Sequence, residues 1–183
     1  MPRLPPAQLT PAQRQLYDEI ANGPRAAGPF ALTDERDALL GPFGAMLLSP
    51  DVGAALQALG AAVRYRSALT PRIREMAVLV VAAHWRSDFE RHAHSAVGRL
   101  VGLSEAELAA LQDEAPLELA DPAEAVALAT VRALVDDGDL DDAGYGRACQ
   151  ALGERGVFEL TTLVGYYATL ALQLRVFRVP APN

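Results

Sequence analysis

Glu90 and His94 are the two residues best placed for chemistry, because they lie four positions apart in the segment SDFERHAH. In a helix this spacing places both side chains on one face, about one turn apart. A carboxylate can orient an imidazole and bring its pKa near neutrality, which suits general acid–base catalysis. A structural explanation stays open, because Ser87 and Glu90 also form the Ser-x-x-Glu pattern of a capping box.

Glu75 is the only acid in a segment that is otherwise almost entirely apolar. A Thr-Pro pair at residues 70–71 favours a helix start, and the apolar residues 76–83 leave this helix no polar face, which predicts burial. A buried carboxylate needs a donor, an opening or a raised pKa. Two interpretations stay open: a salt bridge to Arg72 or Arg74 near the helix start, or a second group for proton transfer.

Several further residues complete the predicted substrate site. An arginine close to these helices could anchor a substrate carboxylate through paired hydrogen bonds. The predicted substrate-binding residues are Arg72, Arg74, Arg86, Ser87 and Tyr167.

We do not expect a metal site or another cofactor. Glu75, Glu90 and His94 could offer ligands, but their spacing is neither His-Glu-x-x-His nor the Glu-x-x-His of di-iron bundles. The chain contains three histidines in all. The predicted chemistry therefore uses these three side chains alone, with His94 as the acid–base group on a small acidic substrate.

The hydrophobic pattern predicts an all-α fold. Helix starts of the cap-then-proline or capping-box type recur along the chain, and no strand-type alternation of useful length appears. We expect one domain over residues 1–183, with an extended arm at residues 1–9. Buried stripes are predicted at Val52, Leu56, Leu59 and Val63, and at Val126, Ala129, Ala133 and Leu134. The last helix, residues 157–176, is apolar over more than one face, which predicts burial between subunits.

Composition narrows the function classes. The net charge of −7 and the lack of a cluster of basic residues argue against nucleic-acid binding. Cys149 is the only cysteine, so no internal disulfide is possible, and on an apolar helix it is predicted to be a buried small hydrophobe. No signal-peptide pattern or membrane span is evident. We therefore expect a cytoplasmic protein with a small-molecule substrate and no membrane partner.

Three segments resemble the carboxymuconolactone decarboxylase and alkylhydroperoxidase AhpD-like superfamily. They are PRIREMAVL at residues 71–79, Phe89-Glu90-x-x-x-His94, and Gly102-Leu103-Ser104-x-Ala106-Glu107-Leu108. Residues 153–167 look like the closing helix of the longer single-domain members. Those members often carry Leu-Asn where this chain has Leu174-Arg175.

The resemblance implies an AhpD-like helical bundle, a trimer or hexamer, and a choice between two branches. In the peroxidase branch a Cys-x-x-Cys motif precedes the histidine, and a glutamate on the preceding helix relays protons. On this chain those positions hold Ser87, Glu90, His94 and Glu75, so both thiols are missing and thiol peroxidase chemistry is not expected. The decarboxylase branch resembles this chain in its Glu-x-x-x-His, which implies lyase-type chemistry. The alternatives are an antioxidant protein or a non-catalytic ligand-binding member.

Overall fold

The computed structural model describes residues 3–27 and 30–181, and their regular structure is helical. The described residues contain no strand, only an isolated bridge between Thr33 and Leu39. This confirms the predicted all-α class. The helices are α1 (Pro11–Ala21), α2 (Pro42–Met46), α3 (Pro50–Tyr65), α4 (Pro71–His84), α5 (Asp88–Leu100), α6 (Glu105–Gln112), α7 (Pro122–Asp136) and α8 (Asp142–Val176).

Helix α4 lies at the centre of the fold and packs against α5, α6, α7 and α8. The Thr70 side chain caps it by accepting a hydrogen bond from the Ile73 backbone, and Pro71 takes the first helical position. Every residue from Glu75 to Ala82 is buried, as the missing polar face predicts. Because neighbours cover α4 on all sides, Glu75 leaves the helix inside the protein.

Helix α8 contains a kink at Gly153. This residue has φ 72° and ψ 161°, a left-handed conformation that glycine adopts without steric cost. Asp141 caps the helix by accepting a hydrogen bond from the Gly144 backbone. Of the described helices, α8 alone is long and apolar enough to cross a membrane by length and composition, and 44% of its most apolar window is buried in the fold.

The predicted buried stripe of α3 is correct in part. Val63 is buried and Leu56 packs partly buried against the core, but Val52 and Leu59 are 63% and 39% exposed. Gly53, Gln57 and Gly60 are buried as well. The glycines explain the difference, because a Cβ at Gly60 would overlap the Tyr166 hydroxyl of α8, so α3 packs closely through its small residues.

Two other local predictions also need correction. In α7 the buried residues are Glu124, Ala127, Leu128, Thr130 and Val131, and the predicted Ala129 is exposed. Cys149 is half-buried rather than buried. In the predicted extended arm, residues Pro6–Gln8 form a turn of 3-10 helix, and Met1 and Pro2 lie outside the described residues.

Candidate active site

The connection between α4 and α5 brings the three ionisable residues together. The chain reverses over two residues, with Arg86 at φ 51° and the Ser87 backbone donating to the Ala82 carbonyl over 2.8 Å. Helix α5 then packs back along α4. Glu90 in the first turn of α5 and His94 in its second turn therefore face Glu75 across the contact.

His94 lies between two carboxylates. Its Nδ1 is 2.6 Å from Oε2 of Glu75, and its Nε2 is 3.2 Å from Oε2 of Glu90. All three residues are buried, with 5%, 3% and 6% of Glu75, Glu90 and His94 exposed. With an acceptor facing each ring nitrogen, the doubly protonated imidazolium is the form that satisfies both contacts.

The two carboxylates raise the pKa of His94. Burial alone would lower it, but the hydrogen bond and charge of Glu75, followed by those of Glu90, outweigh burial and raise the pKa from 6.5 to about 9. The guanidinium of Arg64 lies 4.0 Å from the other oxygen of Glu75. Two carboxylates, one imidazolium and one guanidinium thus form a cluster without net charge.

A cavity of about 470 Å³ opens beside His94 and Glu90. Its wall is mostly apolar and aromatic, with arginines at several points. Glu90 lines this cavity, and its Oε1 is buried and has no hydrogen-bond partner among the described residues. The lining includes Arg3, Arg25, Phe30, Leu32, Leu40, Phe43, Arg64, Tyr65, Phe89, Val97, Tyr166, Tyr167 and Leu170.

Two tyrosines of α8 complete the polar end of the cavity. The ring of Tyr167 meets His94 edge to face at 5.1 Å, and Tyr166 meets Tyr167 in the same way at 5.1 Å. Burial raises the pKa of Tyr166 to about 12 and raises the pKa of Tyr167 as well. Both hydroxyls therefore remain protonated at neutral pH and can donate hydrogen bonds.

The structure brings together four of the residues singled out in the sequence: Glu75, Glu90, His94 and Tyr167. It also places Phe30 and Phe43 in the cavity wall, whereas Met46 is buried in the core. The capping box at the start of α5 is wrong, because the Ser87 side chain makes no capping hydrogen bond and its Oγ has no partner among the described residues.

The arginines predicted to bind substrate lie elsewhere. Arg72 donates to Glu124 over 2.8 Å and to Glu107 over 2.7 Å, and Arg74 donates to the Leu69 carbonyl over 2.6 Å. Neither pairs with Glu75 within salt-bridge distance, so that predicted ion pair is wrong. Arg86 and Ser87 line a separate cavity of about 270 Å³.

Arg25 and Arg64 are two charged cavity residues that the sequence did not indicate. Arg25 donates from Nε to Gln57 over 3.0 Å and lies over the ring of Phe43, with its Cζ 5.1 Å from the ring centroid. Its side chain also forms a hydrogen bond with the Tyr166 hydroxyl. Both arginines reach the cavity through contacts distant in sequence, for which no short motif exists.

The described residues contain no group of three or more His, Cys, Asp or Glu placed to hold a metal ion. The geometry at His94 gives a physical reason, since each ring nitrogen faces a carboxylate oxygen instead of an open position.

The raised pKa of His94 predicts how stability depends on pH. A group whose pKa is higher in the folded state stabilises that state as long as the group is protonated. For His94 this contribution is complete below the unfolded pKa of 6.5 and is lost as the pH rises through the folded pKa of about 9. We expect the free energy of unfolding to fall by about 3 kcal/mol across this window.

Urea unfolding at several pH values measures this decrease, with His94→Gln as the matched control. The variant should lack the decrease between neutral and alkaline pH. An equal decrease in both proteins would show that His94 is neutral in the folded state.

Part of the chain matches a known protein family. The profile of the Carboxymuconolactone decarboxylase family matches residues 50–133, which contain Glu75, Glu90 and His94. No curated protein matches the chain. A solved structure from Agrobacterium tumefaciens, a protein of unknown function described as a putative antioxidant defence protein AhpD, is 21% identical with a TM-score of 0.65, and the match covers 74% of this chain and 94% of that one.

Two further solved structures share the fold. An uncharacterized peroxidase-related protein from Ralstonia eutropha with an alkylhydroperoxidase AhpD core is 15% identical with a TM-score of 0.76, and the match covers 100% of this chain and 92% of that one. The debrominase Bmp8, in complex with 2,3,4-tribromopyrrole, is 12% identical with a TM-score of 0.71, over 94% of this chain and 86% of that one. The AhpD-like helical fold is therefore confirmed, and residues 50–133 match the family that the sequence resembles.

Proposed function

We propose that the protein is a cofactor-independent acid–base enzyme that moves a proton at carbon in a small, largely apolar organic acid or lactone. One observation carries this proposal: Glu90, whose buried Oε1 has no hydrogen-bond partner among the described residues, lines a cavity beside an imidazolium. An unpaired buried acceptor is costly unless a ligand uses it. Lyase-type reactions such as decarboxylation, and isomerisation, both need such a proton transfer.

In this proposal Glu90 is the group that exchanges a proton with the substrate. Its carboxylate accepts a proton from substrate carbon, and the electron pair of that C–H bond passes to the adjacent carbonyl as an enolate. The carboxyl group of Glu90 then returns the proton to carbon, either at the same position or at another. His94 is already protonated at neutral pH and both of its N–H groups face carboxylates, so it holds Glu90 in place and does not itself reach the substrate, while Glu75 keeps it protonated. The acid–base role expected for His94 thus passes to Glu90.

Arg25 and Arg64, rather than the arginines expected from the sequence, are proposed to receive the substrate carboxylate. Both line the cavity near Tyr166 and Tyr167, whose hydroxyls can donate to a carbonyl oxygen. The aromatic wall suits a flat apolar body, and the volume fits a small molecule. The debrominase with the same fold binds a tribrominated pyrrole, a flat ring of this size class.

A thiol peroxidase function receives less support from the site. The cavity lining contains no cysteine among the described residues, and the half-buried Cys149 lies on α8 outside it. Peroxide reduction through a disulfide needs two thiols, or one thiol and a resolving partner.

We also propose that the protein is a single-domain cytoplasmic protein that acts on a small molecule and has no nucleic-acid or membrane partner.

Replacing the proposed base should abolish turnover. A panel of small unsaturated acids, keto acids and lactones is incubated in D₂O, and proton NMR follows deuterium uptake and product formation. For a compound that reacts, Glu90→Gln should lower the rate by about 100-fold or more, the usual contribution of a general base.

The surface variant Glu105→Gln is the matched control, because Glu105 is exposed and pairs only with Arg99 among the described residues. It should keep the full rate. Turnover that survives Glu90→Gln would contradict the assignment, and binding by thermal shift without turnover of any compound would favour a ligand-binding member.

Replacing Arg25 should weaken the binding of acids and not of their neutral analogues. The probes are cinnamate and cinnamamide, measured by calorimetry. We expect Arg25→Gln to weaken cinnamate binding about tenfold, as for a lost charge-assisted hydrogen bond, and to leave cinnamamide unchanged.

Arg25→Lys should recover part of the affinity, and the exposed Arg36→Gln should change neither probe. Equal losses for the acid and the amide would show that Arg25 shapes the wall and does not read the carboxylate.

A further inference from the structure

Arg25 and the hydroxyl of Tyr166 lie against the same point of helix α3. Gly60 has no side chain there, and a Cβ added to this glycine would overlap the Tyr166 hydroxyl and lie 2.8 Å from Nη2 of Arg25. The guanidinium and the hydroxyl are hydrogen-bonded to each other. Both residues line the cavity of about 470 Å³. The close approach of α3 therefore holds a charged donor and a neutral donor side by side in the cavity wall.

The hydroxyl proton of Tyr166 is left for a ligand. A guanidinium has donors only, so Arg25 donates in their hydrogen bond and the Tyr166 oxygen accepts. The O–H group of Tyr166 then has no acceptor among the described residues. Burial raises the pKa of Tyr166 to about 12, so the proton stays on the hydroxyl at neutral pH. Arg25 uses its Nε for Gln57, and the rest of its guanidinium has further N–H groups for a second oxygen.

The position of these two donors is also fixed relative to Glu90. The ring of Tyr166 packs edge to face on Tyr167, and Tyr167 packs in the same way on His94, with 5.1 Å between the centroids of each pair. Nε2 of His94 in turn lies 3.2 Å from the Glu90 carboxylate. Besides burial, the charge of Glu90 raises the pKa of Tyr166, so the carboxylate and the hydroxyl belong to the same part of the cavity.

We propose that the site takes a 2-oxo acid, in which a carbonyl group stands next to the carboxylate, an inference that rests on the proposed function. An oxygen bound by either donor lies about 3 Å from it. Because Arg25 and Tyr166 are in contact with each other, the two oxygens that they bind must be neighbours. Adjacent carboxylate and carbonyl oxygens meet this requirement, and the apolar wall receives the rest of the molecule.

Tyr166 stabilises the enolate of such a substrate. The Glu90 carboxylate accepts a proton from C3, the electron pair of that bond forms a C2–C3 double bond, and the negative charge moves to the C2 oxygen. Tyr166 donates a hydrogen bond to this oxygen and keeps its own proton. Because the charge grows only as the proton leaves C3, the hydrogen bond strengthens in the transition state. The Glu90 carboxyl group then returns a proton to C3.

Binding of two related acids tests the carbonyl contact without any turnover. The probes are phenylpyruvate and 3-phenylpropionate, which is the same acid without the C2 carbonyl, measured by calorimetry. Tyr166→Phe removes only the hydroxyl and should weaken phenylpyruvate about tenfold, as for one lost hydrogen bond at a buried site, and leave 3-phenylpropionate unchanged.

Tyr145→Phe is the matched control, because Tyr145 is also on α8, is 48% exposed and does not line the cavity. It should change neither affinity. Equal losses of both acids in Tyr166→Phe, or no binding of phenylpyruvate to the unaltered protein, would overturn the proposal.

Deuterium uptake at C3 of phenylpyruvate tests the role of Tyr166 in the reaction. Proton NMR in D₂O follows it, corrected for uptake in buffer. Tyr166→Phe should lower kcat about 100-fold, as for the loss of one donor to a developing oxyanion, and change KM much less. Gly60→Ala crowds the hydroxyl and should act in the same direction. Gly165→Ala should keep the full rate, because a Cβ added there would meet nothing within 4 Å.

The two experiments separate this inference from the proposed function. Phenylpyruvate binding that depends on the Tyr166 hydroxyl, without uptake at C3, would support the 2-oxo acid site and contradict the acid–base enzyme. Uptake that is lost in Glu90→Gln and unchanged in Tyr166→Phe would support the enzyme and overturn the role of Tyr166.

Discussion

The rest of the site depends on one buried electrostatic arrangement, an imidazolium held between two carboxylates. Burial alone would leave His94 neutral and would make each carboxylate costly. With Glu75 and Glu90 on the two sides of the ring, each charge is compensated, and Arg64 balances the remaining one. The cluster can therefore stay charged in the protein interior, although one oxygen of Glu90 has no hydrogen-bond partner among the described residues.

The scaffold makes this arrangement possible by burying α4 completely. A helix without a polar face has no route to solvent for Glu75, so the partner of that residue must come from a neighbouring helix. The short reversal at Arg86 and Ser87 supplies this neighbour directly, because α5 packs back along α4. Helix α8 then closes the site with Tyr166 and Tyr167.

Local signals in the sequence were sufficient for the fold and for the centre of the site. Cap patterns such as Thr10 with Gln13, and Ser104 with Glu107, marked helix starts that the structure shows. The four-residue spacing of Glu90 and His94 indicated a shared face. The same local rules failed at Ser87, because Glu90 points to His94 rather than back to the cap.

Contacts between distant residues could not be inferred in the same way. Arg72 was a reasonable partner for Glu75 by proximity in sequence, but Glu107 and Glu124 bind it from other helices. Arg25 reaches the cavity only because Gln57 and Phe43 hold it there. In α3, Gly53 and Gly60 allow close packing of the buried face, and a pattern based on large apolar residues includes Val52 and Leu59, which are exposed.

The protonation state of His94 tests the account most directly. Nitrogen NMR of the labelled protein reports it, with His84→Gln and His92→Gln removing the other two imidazoles. If His94 is held as an imidazolium, both of its ring nitrogens carry protons at neutral pH and one proton is lost near pH 9. A ring that is already neutral at pH 7, with a single protonated nitrogen, would contradict it.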